Sequence, residues 1–172
     1  MNQDVVNEAG KLLQNQKLSI AFAESATAGR ICAEFSLLEN AGSFLKGSIA
    51  CYDACIKESL LGVEHELIEK FTPESMEVTR AITLGLSKIM PADIHIGVTG
   101  LGCAGGSETS EKPVGTIFIF ALYQGELAFS ERLNFEGEQQ VIIQATVESC
   151  AMLLKTFLEN LQGNQGQEIK AQ

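Results

Sequence analysis

Residues Ile20–Gly29 read IAFAESATAG, and this stretch decides the fold. Ile20 to Ala23 are apolar, and the run is short enough for a strand covered on both faces. Glu24-Ser25 ends it, and small residues then open a helical pattern. A serine at such a junction stands where a strand's carboxyl end meets a helix's amino end, the usual place for an α/β sheet to bind ligands. The N–H groups of a helix start favour an anion or an oxyanion there.

Working outward, Val5, Val6, Ala9, Leu12 and Leu13 recur at helical spacing and predict a first helix over 3–16, before a strand at Leu18 to Ala23. Ile31, Cys32, Phe35 and Leu38 predict a second helix from Thr27 to Glu39, stopped by Asn40-Ala41-Gly42. Within such a helix a β-carbon at Ala28 costs little. Phe44 to Tyr52 reads as a second strand, followed by short helical pieces over 53–63 and 64–70. Thr72-Pro73-Glu74 has the residues of a cap, so a long helix is expected over 73–89 with Met76, Ala81, Leu84 and Met90 inward. Asp93 to Val98 is a buried strand leading into a glycine-rich loop, 99–113. Gly115 to Tyr123 and Leu127 to Phe135 flank Gln124-Gly125-Glu126 as a hairpin. A closing helix over 137–158 is expected to turn Val141, Ala145, Val147, Met152, Leu153 and Phe157 inward.

Helices alternating with strands, plus one hairpin, predict an α/β fold: a three-layer α/β/α sandwich around a mixed, mostly parallel sheet. One domain is expected over 1–160, with a flexible tail over 161–172 that has little to bury. The 172 residues suffice for one stable core. Twelve basic against 22 acidic side chains give a net charge of −10, which argues against nucleic acid or an anionic membrane as partner. A phosphorylated small molecule stays open, since one lysine and a few N–H groups suffice for it. No apolar run approaches the ~18 residues of a membrane span. The amino terminus lacks the pattern of a signal peptide, and the five scattered cysteines fit a reduced, cytoplasmic setting.

Chemistry needs a reactive group and a base. Ser25 is either a helix cap or a nucleophile held over a helix start. His65 lies in an acidic stretch and His95 inside a strand, so a Ser-His-Asp triad has little support. Lys57, five residues after Tyr52, is either a solvated helix lysine or a desolvated base helped by the tyrosine hydroxyl. Gly100, Gly102 and Gly105 spell GxGxxG, but a strand follows rather than a helix, so the dinucleotide fingerprint fails. The loop reads equally as a ligand cradle or as an irregular turn, with Lys112 a possible cation for phosphate or carboxylate. Cys51 and Cys55 lack further ligands nearby, so no metal is expected.

Three stretches in order, AESATAG, CYDACIKESLLGV and VTGLGCAGGSETSEKPVGT, resemble the CinA carboxyl-terminal domain family, over about residues 3–160. That family includes stand-alone nicotinamide mononucleotide (NMN) deamidases. The resemblance implies a three-layer fold in homodimers or larger homo-oligomers. It implies hydrolysis of NMN to nicotinic acid mononucleotide and ammonia, without metal or cofactor, on a phosphorylated pyridine nucleotide as small-molecule substrate. The family's nucleophile falls on Ser25, and its tyrosine and lysine on Tyr52 and Lys57. Glu24, Ala26, Thr27, Ala28, Gly29, Thr99, Gly100, Gly102, Gly105, Gly106 and Lys112 become the expected substrate-binding residues, with N–H groups near Ala26 to Ala28 holding the oxyanion. There are departures. Ala26 and Ala28 replace a cysteine and a glycine, Ala54-Cys55 replace an Asn-Glu pair, and Ala104 replaces a proline. Gly137-Glu138-Gln139 stands where Gly-Asp-Arg is usual. The alternative these losses raise is a catalytically silent sensor of a nucleotide-like ligand, or a partner protein, on the same fold.

Overall fold

The computed structural model describes residues 3–168. The chain runs α1 (Gln3–Gln16), β1 (Ile20–Glu24), α2 (Arg30–Ser36), β2 (Leu45–Ala50), α3 (Ala54–Ser59), α4 (His65–Phe71), α5 (Met76–Ile89), β3 (Ile94–Gly100), β4 (Thr116–Tyr123), β5 (Glu126–Asn134) and α6 (Gln139–Glu168). A 3₁₀ turn at Ala41–Ser43 leads into β2. The five strands form one mixed sheet in the order β2-β1-β3-β4-β5. β1 is parallel to both β2 and β3, whereas β3, β4 and β5 are joined antiparallel. Only β4 therefore runs against the others. The hairpin turns at Gln124 and Gly125, both at positive φ, the geometry that matches strand twist.

Alternation along β1 and β3 divides the core in two. Ile20, Phe22, Ile94, Ile96 and Val98 pack with α1, α2 and α6 on one face, while Ala21 and Ala23 pack with Val78, Ile82 and Leu86 of α5 on the other. The second face is built from small residues so that α5 can lie close. A β-carbon at Gly97 would come within 2.1 Å of Thr83 Oγ1, and one at Gly85 within 2.0 Å of the Leu61 carbonyl oxygen.

From β1 the chain goes to β2 on one side and later returns to β3 on the other. The carboxyl ends of β1 and β3 thus meet at a topological switch point, where open α/β sheets form their ligand crevice. Ser25 follows the first and Leu101 the second.

Several expectations are corrected. α2 begins at Arg30, not Thr27, because residues 25–29 form a turn with Ala28 at φ 49° and Gly29 at φ 95°. Ala28 is therefore left-handed rather than helical. The cause is Glu24. Its carboxylate is fully buried, accepts from Thr27 Oγ1 and the N–H groups of Gly29 and Ile31 on one oxygen, and accepts from Cys32 N–H and Ser48 Oγ on the other. The chain has to loop around that carboxylate before it can coil.

α5 starts at Met76, capped by Ser75 Oγ accepting from Val78 N–H at 3.2 Å, and Thr72 instead ends α4 at φ 68°. Its buried face is Val78, Thr79, Ile82, Thr83 and Leu86; of the expected residues, Ala81 and Met90 pack at the margin of that core, while Met76 and Leu84 line a surface groove. The threonines escape the usual cost of burial by donating to the carbonyls of Ser75 and Thr79 one turn back. In α6, Val147 is buried and Leu153 and Phe157 pack against the core as expected, whereas Val141 and Met152 are about half exposed and Ile142, Cys150, Ala151 and Leu154 complete the buried face. Gln139–Gly163 is long and apolar enough to cross a membrane, contrary to the reading of the runs, but its buried face packs on α1 and the sheet. The expected tail continues helical to Glu168, and residues 169–172 lie outside the described residues.

Two stability changes follow from this geometry. Gly85→Ala drives a β-carbon into the Leu61 backbone and is expected to cost about 2–3 kcal/mol in urea unfolding. Ala28→Gly relieves a left-handed β-carbon and is expected to stabilise by about 0.5–1 kcal/mol in the same measurement.

Candidate active site

Lys57 is the side chain that converges on Ser25. α3 starts at Ala54 because Asp53 caps it, its carboxylate accepting from Cys55 N–H at 2.8 Å. One turn further on, the Lys57 side chain points under the end of β2 and is only 1% exposed. Its Nζ lies 3.0 Å from Ser25 Oγ, 2.7 Å from the Cys51 carbonyl oxygen and 3.2 Å from the Tyr52 carbonyl oxygen. None of these three is a carboxylate. Burial pushes the amine below its ordinary value of 10.5, against a pull upward from more distant anions, Glu74 and Asp53 among them. A neutral amine has two N–H groups and one lone pair. As an ammonium, Lys57 donates to the two carbonyls and to the Ser25 hydroxyl oxygen; deprotonated, it keeps two hydrogens for the carbonyls and turns its lone pair to the serine.

Ser25 is held by its own N–H, which donates to the Val98 carbonyl at 2.9 Å, and by its carbonyl, which accepts from Ala28 N–H at 3.1 Å. The N–H groups of Ala26 and Thr27 find no acceptor among the described residues. They directly follow Ser25 in the chain. Ser25 and Ala26 open onto a cavity of about 200 Å³, also lined by Tyr52, Glu74, Gly100 to Gly106 and Gln139. A second groove of about 500 Å³ adjoins it across Gln139, bordered by Thr27 to Arg30, Ala33, Gln140, Ile143 and Gln144.

The expected residues thus divide. Ser25, Lys57, Tyr52, Ala26, Gly100, Gly102, Gly105 and Gly106 share the cavity or its floor. Tyr52 reaches Lys57 through its backbone carbonyl, while its side chain is 61% exposed at the rim, so the expected relay through its hydroxyl is not formed. Ala28 and Gly29 belong to the second groove. Thr27 borders that groove, but its hydroxyl donates to Glu24. Glu24 faces inward, not toward a ligand, and it takes the very N–H groups of α2 that were expected to bind an anion. Thr99 is fully buried with its hydroxyl on Thr79 at 2.8 Å. Thr79 already donates to Ser75, so Thr99 is the donor in that pair.

Lys112 is likewise committed. Its Nζ donates to Thr72 Oγ1 at 2.5 Å, the Glu74 carbonyl at 2.9 Å and Ser107 Oγ at 2.7 Å, which ties the glycine loop to the start of α5. Partial burial pulls this amine below the ordinary lysine value as well. Neither histidine approaches: His95 Nε2 meets the Met90 carbonyl at 2.9 Å, and His65 pairs with Glu58 on the surface.

Glu74 and Gln139 line the cavity without having been expected there. Glu74 carried no local signal beyond an acid near a helix start. Gln139 did carry one, since it occupies the position where the resembling family has an arginine.

A model of the CinA C-terminal domain matches residues 2–158. A CinA-like protein of Dictyoglomus thermophilum is 36% identical over 151 residues, which cover 87% of this chain and 36% of that protein. A CinA-like protein of Flavobacterium psychrophilum is 34% identical over 153 residues, covering 88% and 36%. The chain therefore spans about a third of the length of the curated relatives it matches. Among solved structures, a competence-damaged protein (CinA) superfamily protein from Klebsiella pneumoniae superimposes with a TM-score of 0.86 at 20% identity, covering 92% of this chain and 98% of that one. A competence or damage-inducible protein from Enterobacter asburiae gives 0.85 at 23% identity, covering 91% and 97%. With the family's serine and lysine at the switch point and its model matched over nearly the whole length, this chain belongs to the CinA C-terminal domain family.

Proposed function

We propose that this chain is an amidohydrolase with Ser25 as nucleophile and Lys57 as general base, acting on a pyridine carboxamide of the kind carried by NMN. The observation that carries the reading is the 3.0 Å approach of a buried, carboxylate-free lysine amine to a serine hydroxyl at the floor of a cavity. A lysine kept from solvent has no structural need for a serine. As a base, it gains from burial the lowered pKa that proton abstraction requires.

The steps balance as follows. The neutral Lys57 amine takes the Ser25 hydroxyl proton as Oγ bonds to the carboxamide carbon. The carbonyl oxygen becomes an oxyanion, for which the free N–H groups of Ala26 and Thr27 are the donors. Collapse breaks the C–N bond, and the proton on Lys57 passes to the leaving nitrogen, which departs as ammonia. Water then attacks the acyl-serine, giving one proton to Lys57. The C–O bond to Ser25 breaks, Lys57 returns that proton to the serine, and the carboxylic acid leaves.

The test is ammonia release from nicotinamide-bearing substrates by the purified protein. Ser25→Ala is expected to lower kcat by about 10³-fold or more, the scale of losing a nucleophile. Unchanged release from a folded Ser25→Ala protein would remove Ser25 from the chemistry. No release from the parent, with substrate still raising the Tm, would move the chain to the reading as a ligand sensor.

The pH profile is a separate test. Protonated Lys57 cannot accept a proton, so kcat/KM should rise with pH and level off at a midpoint below 10.5, since burial lowers this amine in the folded protein. A rate still climbing past that value would exclude a desolvated lysine as the base.

A further inference from the structure

The surroundings of Ser25 carry an electrostatic pattern that the chemistry above does not use. Several donor sets near the cavity that would suit a phosphate are already taken up by the chain itself. The α2 N–H groups of Ile31 and Cys32, with that of Gly29, are taken by Glu24. The Lys112 amine is spent on Thr72, Glu74 and Ser107. Arg30, in the adjoining groove, turns Nε onto Glu34 at 2.7 Å, and that carboxylate is almost fully covered.

The glycine loop is the fullest case. Successive N–H groups of such a loop form the concavity in which anions settle. Here Gly105 N–H donates to Glu108 Oε1 at 2.8 Å, and the N–H groups of Glu108 and Gly106 help hold that carboxylate below its ordinary range. The loop's anion position is occupied by a side chain of the loop itself. Glu74 lines the cavity and is tied to the same loop, its Oε2 accepting from Ser107 Oγ at 2.5 Å. Gln139, at the join of the two hollows, adds hydrogen bonds but no charge.

We infer that this site selects a pyridine carboxamide without a phosphate, a neutral or cationic nucleoside-like substrate, and that Glu74 and Glu108 are the residues that determine the selection. The inference rests on the amidohydrolase reading above and names its substrate class. NMN carries about −1.5 to −2 charges on its phosphate at neutral pH, against one positive charge on its pyridinium. The dephosphorylated compound, nicotinamide riboside, keeps only the positive charge. In a cavity lined by a carboxylate, on a chain with net charge −10, the first is repelled and the second attracted.

The experiment compares kcat/KM for nicotinamide riboside and for NMN by ammonia release, at low and at high salt. The riboside is expected to be favoured by about tenfold or more at low salt, with the ratio shrinking as salt screens the carboxylates. Glu108→Gln, at an exposed position that does not threaten folding, should lower the ratio by about fivefold by raising the rate on NMN. Glu74→Gln, which keeps an acceptor for Ser107, should act in the same direction. NMN equal to or better than the riboside would overturn the inference and leave the amidohydrolase standing. If neither compound is hydrolysed, the amidohydrolase reading fails, and heat stabilisation by the two compounds decides the selection. Stabilisation by the riboside alone supports it, and stabilisation by NMN or by neither overturns it.

Discussion

The buried carboxylate of Glu24 is the constraint on which the rest of the site depends. A carboxylate taken out of water costs several kcal/mol unless its lone pairs are filled. Here five donors from three segments fill them: Thr27 and Gly29 in the turn, Ile31 and Cys32 in α2, and Ser48 in β2. Satisfying one anion thus fixes the turn after β1, the entry of α2 and the neighbouring edge strand together. The turn must wrap around the carboxylate, and Ser25 is carried at its crest. The helix start is filled by this carboxylate, and it anchors the turn that carries Ser25.

Lys57 is the counterpart of that arrangement. Glu24 is an anion given every donor it can use, whereas Lys57 is an amine given no anion at all within hydrogen-bond reach. A surface lysine would keep its proton at neutral pH. This one sits against two carbonyls and a hydroxyl, acceptors enough to hold it in place, and its burial lowers the pKa of the amine. The same burial that makes it costly to the fold is what would suit it to the base's role proposed above.

The charge distribution around the cavity separates this chain from the pattern its motifs resemble. An arginine position holds Gln139, the loop's cradle holds its own Glu108, and the loop lysine serves as a strut between Thr72, Glu74 and Ser107. None of these changes disturbs the serine, the lysine or the two free N–H groups after Ser25. The serine–lysine contact and the charged lining of the cavity are therefore carried by different residues. The second set can drift toward acids while the first stays intact.

Much of this was legible in the chain. Apolar alternation and helical spacing marked the elements, because burial on a sheet or a helix face imposes those periods on any sequence. The three motifs marked the family, and the strand-to-turn junction marked Ser25. What escaped were matters of phase and partnership. The inward face of α5 carries Thr79 and Thr83, which a reading by hydropathy turns outward, since their hydroxyls are satisfied only once the helix has formed. The start of α2 lies later than its spacing predicts because Glu24, expected at the strand end to face a substrate, turns inward and is met by Ser48, 24 residues away. Lys112 reads as a free cation until Thr72, 40 residues distant, takes its hydrogen. The sequence by itself determined the elements, their order and the motifs that hold Ser25 and Lys57. Tertiary structure alone decided which polar groups were left unpaired to meet a substrate, because hydrogen bonds between distant residues form only when packing has brought them together.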